Sequence, residues 1–239
     1  MKKLHKLLRI LGTRDYRRAL LRYGVAAGVE NTQLLASIGA GLRTIVDIGA
    51  NRGQFTLAAR HPAPKAHIFS FEPLREPAQV FRTMFAHDQQ VELHQFAIGP
   101  LPGEGLMHIS KADDSSSLLP ITDLQTRYFP GTAERSTRTV EVRTLDSVLQ
   151  PEAISRPALL KLDVQGYELE ALRGCSALLD AFDFVYVECS YVALYSGQAL
   201  AREVETYLTN AGFILEGVFN PYYANSSQPI QADFFFRRI

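Results

Sequence analysis

At 239 residues and 46% hydrophobic content, the chain is long enough to bury a sizeable core without covalent staples. Its 25 basic and 25 acidic residues cancel, which excludes a protein built mainly to coat nucleic acid. Cys175 and Cys189 have no zinc-ligand or CxxC spacing and read as reduced thiols, which implies a cytoplasmic setting.

The charge is unevenly placed. Residues 1–22 hold eight Lys or Arg against Asp15 alone, a net +7, which leaves −7 on the remainder. Leu4, Leu7, Leu8 and Leu11 recur there at helical spacing. This predicts a capping helix packed on the domain by its leucines, with the basic face in solvent. The alternative is a helix lying on the inner membrane face or on a glycolipid surface. Arg9 interrupts the apolar run and no small-residue cleavage site follows, so the segment does not read as a signal peptide. Nothing elsewhere approaches the roughly 20 apolar residues that span a bilayer.

Strand-like and helix-like segments then alternate. Residues 44–49 (TIVDIG) read as a strand and 53–61 as a helix, 66–73 (AHIFSFEP) as a strand and 75–88 as a helix, and 91–99 (VELHQFAIG) as a third strand. Residues 100–140 read as irregular, with a short hairpin and the polar tract KADDSSSLL. A short helix over 142–149, a strand over 158–164 (ALLKLDV), a helix over 166–180, a strand over 182–190 (FDFVYVECS), a helix over 199–212 and a last strand over 232–238 complete the order. Such alternation implies an α/β domain with a parallel sheet covered on both faces. The reading places an N-terminal helical extension at 1–42 and one domain at 43–239.

Ligands of such sheets bind beyond the carboxyl ends of the strands, where this chain places Asp47 to Gly53, Glu72, Ala97 to Gly99, Asp163 and Glu188. In VDIGANRG, Gly49 permits a sharp turn and Gly53 a close approach by a ligand or a helix. Asn51 stands where a dinucleotide fingerprint wants its second glycine, which argues against a nicotinamide-dependent reductase or epimerase. Glu72 suits a ribose diol. Asp47, an acid inside the first loop, suits a cationic amino-acid tail such as the methionyl part of S-adenosylmethionine and would repel a pyrophosphate.

The motifs IVDIGANRGQFTLAAR, FSFEPLREPAQVFR, FAIG, TLDSVL, LLKLDVQGYELEALRGC, VYVECS and ADFFFRR resemble, in order, those of the FkbM family of S-adenosylmethionine-dependent methyltransferases. The resemblance covers most of residues 43–239. It implies a class I methyltransferase (Rossmann-like) fold, with a seven-stranded, mostly parallel sheet and helices on both faces. It also implies O-methylation of a hydroxyl on a sugar-containing molecule: a glycolipid, a polysaccharide precursor or a natural product. By the same resemblance Asp47, Gly49, Asn51 and Gly53 shape the cofactor loop, Glu72 holds the ribose, Ala97 and Ile98 lie beside adenine, and Ser116 and Ser117 belong to a serine-rich loop near the site. Gln165 stands where many members carry Glu, which puts in doubt a mechanism that needs a carboxylate there.

Methyl transfer to an alcohol is an in-line displacement that needs a base or an acidifying metal. Asp163 and Glu188, at the tips of consecutive strands, are neighbours if those strands pair. They can act as a base with an orienting partner or as oxygen ligands for Mg²⁺. The plainer readings are Asp163 as a helix N-cap and Glu188 in an ion pair with an arginine. Tyr191, Tyr195, Asn220 and Tyr222 fall in segments read as loops at the same edge, where they suit a sugar's faces and hydroxyls or, equally, the contacts of a homodimer. A methyltransferase fold that binds without catalysis is the remaining alternative.

Overall fold

The strands that read as buried run through the middle of one large sheet. The computed structural model describes residues 2–225 and 227–239, with side chains from Lys6 onward. β1 (Thr44–Ile48), β2 (His67–Phe71), β3 (Val91–His94), β7 (Ala158–Leu162), β8 (Phe184–Ser190), β9 (Phe213–Tyr223) and β10 (Pro229–Arg238) form a seven-stranded sheet in the order β3-β2-β1-β7-β8-β10-β9. β10 runs antiparallel to β8 and β9, and the other pairs are parallel. Every residue of β1 and β7 is buried, which is why both read as mainly apolar runs, interrupted by Thr44, Asp47 and Lys161.

Alternate residues serve opposite faces. Val46 and Leu160 face α7 (Glu168–Gly174) and α8 (Ala201–Asn210), where Leu172, Val204 and Leu208 complete the larger core. Ile45 and Leu159 face α3 (Thr32–Ile38) and α4 (Gln54–Arg60), meeting Leu35, Phe55 and Ala58. Cys175 and Cys189 are free and buried in the larger core, as core-filling thiols should be. After β3 the chain returns to pair β7 on the other side of β1, so the order reverses between β1 and β7. That reversal fixes where a ligand crevice opens.

Several segments depart from their sequence patterns. The stretch 91–99 divides into β3 and β4 (Ala97–Ile98), with Phe96 turned inward against Phe71 and His94. The region read as irregular contains β5 (Gly103–Ser110) and β6 (Glu134–Arg143), an antiparallel pair to which β4 adds a third strand. β6 was hidden because only Val140 and Val142 of its ten residues are buried, leaving ERSTRT with no alternation. α5 (Arg75–Phe85) lies where its pattern put it, and α6 (Asp123–Tyr128) is a further short helix. Residues 142–149 are the end of β6 and one 3-10 turn, and the helix read over 166–180 is α7 followed by a 3-10 segment. β9 is an edge strand, where Pro221 costs no ladder bond, so Asn220 and Tyr222 belong to a strand and not to a loop.

α1 (Lys2–Gly12) and α2 (Arg14–Tyr23) form a helical hairpin beside the sheet. Ile10, Tyr16 and Ala19 pack against Val29 and Leu57, and Tyr16 donates to the Ala58 carbonyl at 3.3 Å. The leucine stripe expected to face the domain does not: Leu7, Leu8 and Leu11 are 44%, 60% and 40% exposed. The side chain of Leu4 lies outside the described residues. No helix among the described residues is long and apolar enough to cross a membrane.

Candidate active site

A cavity of about 640 Å³ opens at the carboxyl ends of β1 and β7. One wall is the loop after β1. Gly49 has φ 79° and Asn51 φ 47°, both left-handed, so the loop folds back over the strand tip. A Cβ at Gly49 would stand 1.9 Å from the Asp163 carbonyl oxygen, so only glycine allows the two strand ends to approach this closely. The Asn51 N–H donates to Glu72 at 3.0 Å and the Leu74 N–H at 2.7 Å, which aims this carboxylate at the loop. Burial pushes Glu72 up to about 7 against those two donors. Phe71, Phe96, Ala97 and Ile98 add an apolar flank.

Beneath the loop lies a charge pair. Lys161 Nζ sits 2.9 Å from Asp47 Oδ1 and 4.0 Å from Asp163 Oδ2, and it donates to the Gly49 carbonyl at 3.0 Å. Burial opposes the ammonium, but Asp47 and Asp163 outweigh it and the Lys161 pKa is raised. Asp47 also accepts from Thr56 at 2.9 Å and is wholly buried. It does not line the cavity. The expected contact with a cationic tail is therefore replaced by one with Lys161, and Asp47 acts on the loop from below.

β7 and β8 pair, so Asp163 and Glu188 do become neighbours. The amide of Gln165 lies between them, donating to Asp163 at 2.8 Å and to Glu188 at 3.0 Å. Gln231 donates to the other Glu188 oxygen. Burial raises the Glu188 pKa well above its ordinary value, helped by Asp163 and Asp233. Gln165 adopts φ 56°, a left-handed conformation that costs a non-glycine residue about 1 kcal/mol. It is held there by these two carboxylates and by the Tyr195 hydroxyl, which donates to its Oε1 at 2.9 Å. Among the described residues no three His, Cys, Asp or Glu side chains converge as a metal site, and the gap between the two carboxylates is filled by the amide. The amide thus occupies the position between the two carboxylates that a bridging cation would take.

The plainer readings of these acids fall. α7 begins at Glu168 and has no side-chain cap, so Asp163 is not an N-cap. Glu168 itself accepts from the Val164 and Gly166 N–H groups, both at 3.1 Å. Among the described residues Glu188 meets amides and no arginine.

Of the other expected residues, Gly49, Asn51, Glu72, Ala97, Ile98, Ser116, Asp163 and Glu188 line the cavity. Gly53 does not; a Cβ there would meet Phe85 at 2.6 Å and Phe81 at 2.9 Å, so this glycine serves the approach of α5. Ser117 is buried behind the wall, where its hydroxyl accepts from Leu119. None of the four expected substrate contacts lines the cavity. Tyr191 packs on Phe234, Tyr222 packs on Phe129 and donates to the Tyr128 carbonyl, and Asn220 donates to Asp233 at 2.7 Å. Tyr195 stands one layer back, holding Gln165 and the Ser115 carbonyl.

The sequence did not point to the polar residues that do line the remaining wall, among them Asn31, Gln125 and Gln231. Gln125 is 3% exposed, and its buried Oε1 has no hydrogen-bond partner among the described residues. Its only sequence signal was a polar residue in a segment that reads as loop. The Arg52–Asp113 pair at the rim, closing to 2.5 Å, is likewise invisible to periodicity.

A loop folded over a reversed strand order, a buried carboxylate at the second strand tip and an apolar slot beside it fit the class I methyltransferase fold. A profile of the methyltransferase FkbM domain matches residues 47–215, and the chain belongs to that family. The 2-O-methyltransferase NoeI of Sinorhizobium fredii is 29% identical over 171 residues, covering 67% of this chain and 68% of NoeI. The hexuronic acid methyltransferase AglP of Haloferax volcanii is 27% identical over 143 residues, covering 59% of this chain and 54% of AglP. The N-terminal domain of EvdMO1, solved with SAH and D-fucose, superposes with a TM-score of 0.53 at 12% identity, covering 88% of this chain and 82% of that one; at that identity it supports the fold alone.

Proposed function

We propose that the enzyme transfers the methyl group of S-adenosylmethionine to a hydroxyl of a sugar-containing molecule, with Asp163 as the group that takes the proton. The observation that carries this reading is the arrangement of the two strand-tip carboxylates. Both oxygens of Glu188 and Oδ1 of Asp163 accept from amides, while among the described residues Asp163 Oδ2 faces Lys161 alone, at 4.0 Å, and the Asp163 side chain is 42% exposed. The names of NoeI and AglP, which modify an oxygen and a uronic acid, point to the same acceptor class.

When bound, the cofactor supplies an electrophilic methyl group on a sulfonium. The chain's own residues do the rest. Gly49 and Asn51 shape the loop, Glu72 accepts the ribose hydroxyls, and Ala97 with Ile98 flanks the adenine. Asp163 receives the acceptor's proton as the new bond forms. Glu188 holds Gln165, and Gln165 fixes the rotamer of Asp163. Asn31, Gln125 and Gln231 offer the amide groups that a sugar's remaining hydroxyls can pair with. Residues 43–239 form the methyltransferase domain in this reading, and residues 1–42 are an extension that lends it one wall of the cavity.

Calorimetric titration with S-adenosylmethionine and with NADPH, followed by labelled-methyl transfer to a panel of free and lipid-linked sugars, tests the proposal. Heat with the adenosyl ligand alone and label on a sugar oxygen is the expected result. A folded protein that takes the cofactor but labels amines and no hydroxyl would overturn it.

A further inference from the structure

Among the described residues, the apolar side of α1 that its sequence pattern assigns to the core is exposed. At about 100° per residue, Leu7, Leu8 and Leu11 share one side of α1, while Ile10, the α1 residue buried at 3% exposure, lies a quarter-turn round from Leu11. The hairpin is thus anchored by Ile10, Tyr16 and Ala19, and its leucine stripe faces outward. Leu21 on α2 is 78% exposed. Of the twelve large apolar side chains that are exposed among the described residues, four fall within residues 7–21.

The charge around them is mainly basic. Arg14, Arg17, Arg18 and Arg22 are all exposed on α2, with Asp15 the single acid in residues 1–22. Arg18 and Arg22 continue into a groove between α2 and α5 that is lined also by Arg60, Arg82 and His61, against Asp15 and Asp88. A +7 segment on a body of −7 is not needed for folding, since the anchoring contacts are apolar. Leucines flanked by arginines on a short, exposed amphipathic hairpin match a surface that offers acyl chains beneath phosphates. A second protein would have to bring both an apolar groove and an acidic rim.

From this combination we infer that the α1–α2 hairpin is a docking surface for an anionic lipid bilayer, with Leu7, Leu8, Leu11 and Leu21 entering the interface and the α2 arginines meeting the headgroups. The hairpin also bears on the active site. Lys6 of α1 lines the cavity and pairs with Glu30 at 2.8 Å, and Gly24 and Gly28, just after α2, line the same wall. Docking through this hairpin would hold the bilayer against an element that also lines the cavity. The docking itself does not depend on the proposed methyl acceptor.

The experiment is flotation of the full-length protein with vesicles of phosphatidylglycerol and phosphatidylcholine in equal parts, and with phosphatidylcholine alone. Binding to the anionic vesicles at least tenfold above the neutral ones, weakened by 0.5 M salt on the order expected for screened charges, is the expected result. Leu8→Ser/Leu11→Ser/Leu21→Ser and Arg14→Gln/Arg18→Gln/Arg22→Gln should each lower it at least fivefold, with S-adenosylmethionine binding in solution unchanged as the check on folding. No flotation with either vesicle overturns the inference. So does flotation that both triple variants retain, or a lipid-free dimer that the serine variant converts to monomer. Loss of sugar methylation with flotation intact would count against the proposed function and leave the docking surface standing.

Discussion

Lys161 and Asp47 face each other across adjacent strands, Nζ to Oδ1 at 2.9 Å, with the lysine side chain 7% exposed and the aspartate not at all. Removing one partner strands the other charge. Lys161→Met is expected to destabilise the fold by about 3–5 kcal/mol, as broken buried pairs do. Adding Asp47→Asn to it should recover part of that loss. Denaturant melts of both variants check this; equal stability of the single and double variants would show that Lys161 acts through Gly49 alone.

Asp163→Asn is expected to lower kcat by about 10²–10⁴-fold, the usual contribution of a positioned base, with cofactor affinity retained. Gln165→Glu should lower kcat by a smaller factor and move the acid limb of the pH–rate profile to higher pH. The substitution exchanges two donated hydrogen bonds for a third carboxylate beside Asp163 and Glu188. Rates measured from pH 5.5 to 9 distinguish the two effects.

Glu72, pushed up to about 7 by burial, is largely protonated at pH 6 and ionised at pH 8. A diol donates best to a carboxylate, so S-adenosylmethionine affinity should rise across that interval by up to about tenfold, one pKa unit of differential interaction. Glu72→Gln should bind more weakly at pH 8 and show a flat profile. A steep profile in that variant would assign the titration to another group.

Glu168 is also raised to about 7 by burial. Its folded pKa lies above the unfolded value, so between about 4.5 and 7 the native state binds more protons than the unfolded chain, and stability falls as pH rises through that window. Glu168→Gln keeps an acceptor for the Val164 and Gly166 N–H groups and removes the ionisation. It should therefore be more stable than the parent at pH 8 by about 1–3 kcal/mol and equal to it near pH 4.5. Thermal melts at the two pH values give the comparison.

The central strands were legible because burial on both faces leaves a mainly apolar run, as in β1 and β7. β6 and β9 were not, since strands that expose most of their side chains carry no such run, and Pro221 reads as a break unless the strand is known to be an edge. The tips were legible for the same reason as the strands: Asp163 and Glu72 end apolar runs, and a charge there stands out. Lys161 stands within such a run and could have been found as the counter-charge of Asp47, because parallel pairing places the two in register. The cavity's amide groups could not have been found so, since Asn31, Gln125 and Gln231 come from three separate segments that only tertiary packing unites. The loop tyrosines misled because a polar aromatic in a turn-rich segment looks the same whether it meets a ligand or another loop.

The Tyr195 hydroxyl touches two things at once, the Ser115 carbonyl on the rim of the cavity and the Oε1 of Gln165 on its floor. The phenol has one proton to share between those two acceptors, so the rim segment and the amide that donates to Asp163 hang from the same buried ring.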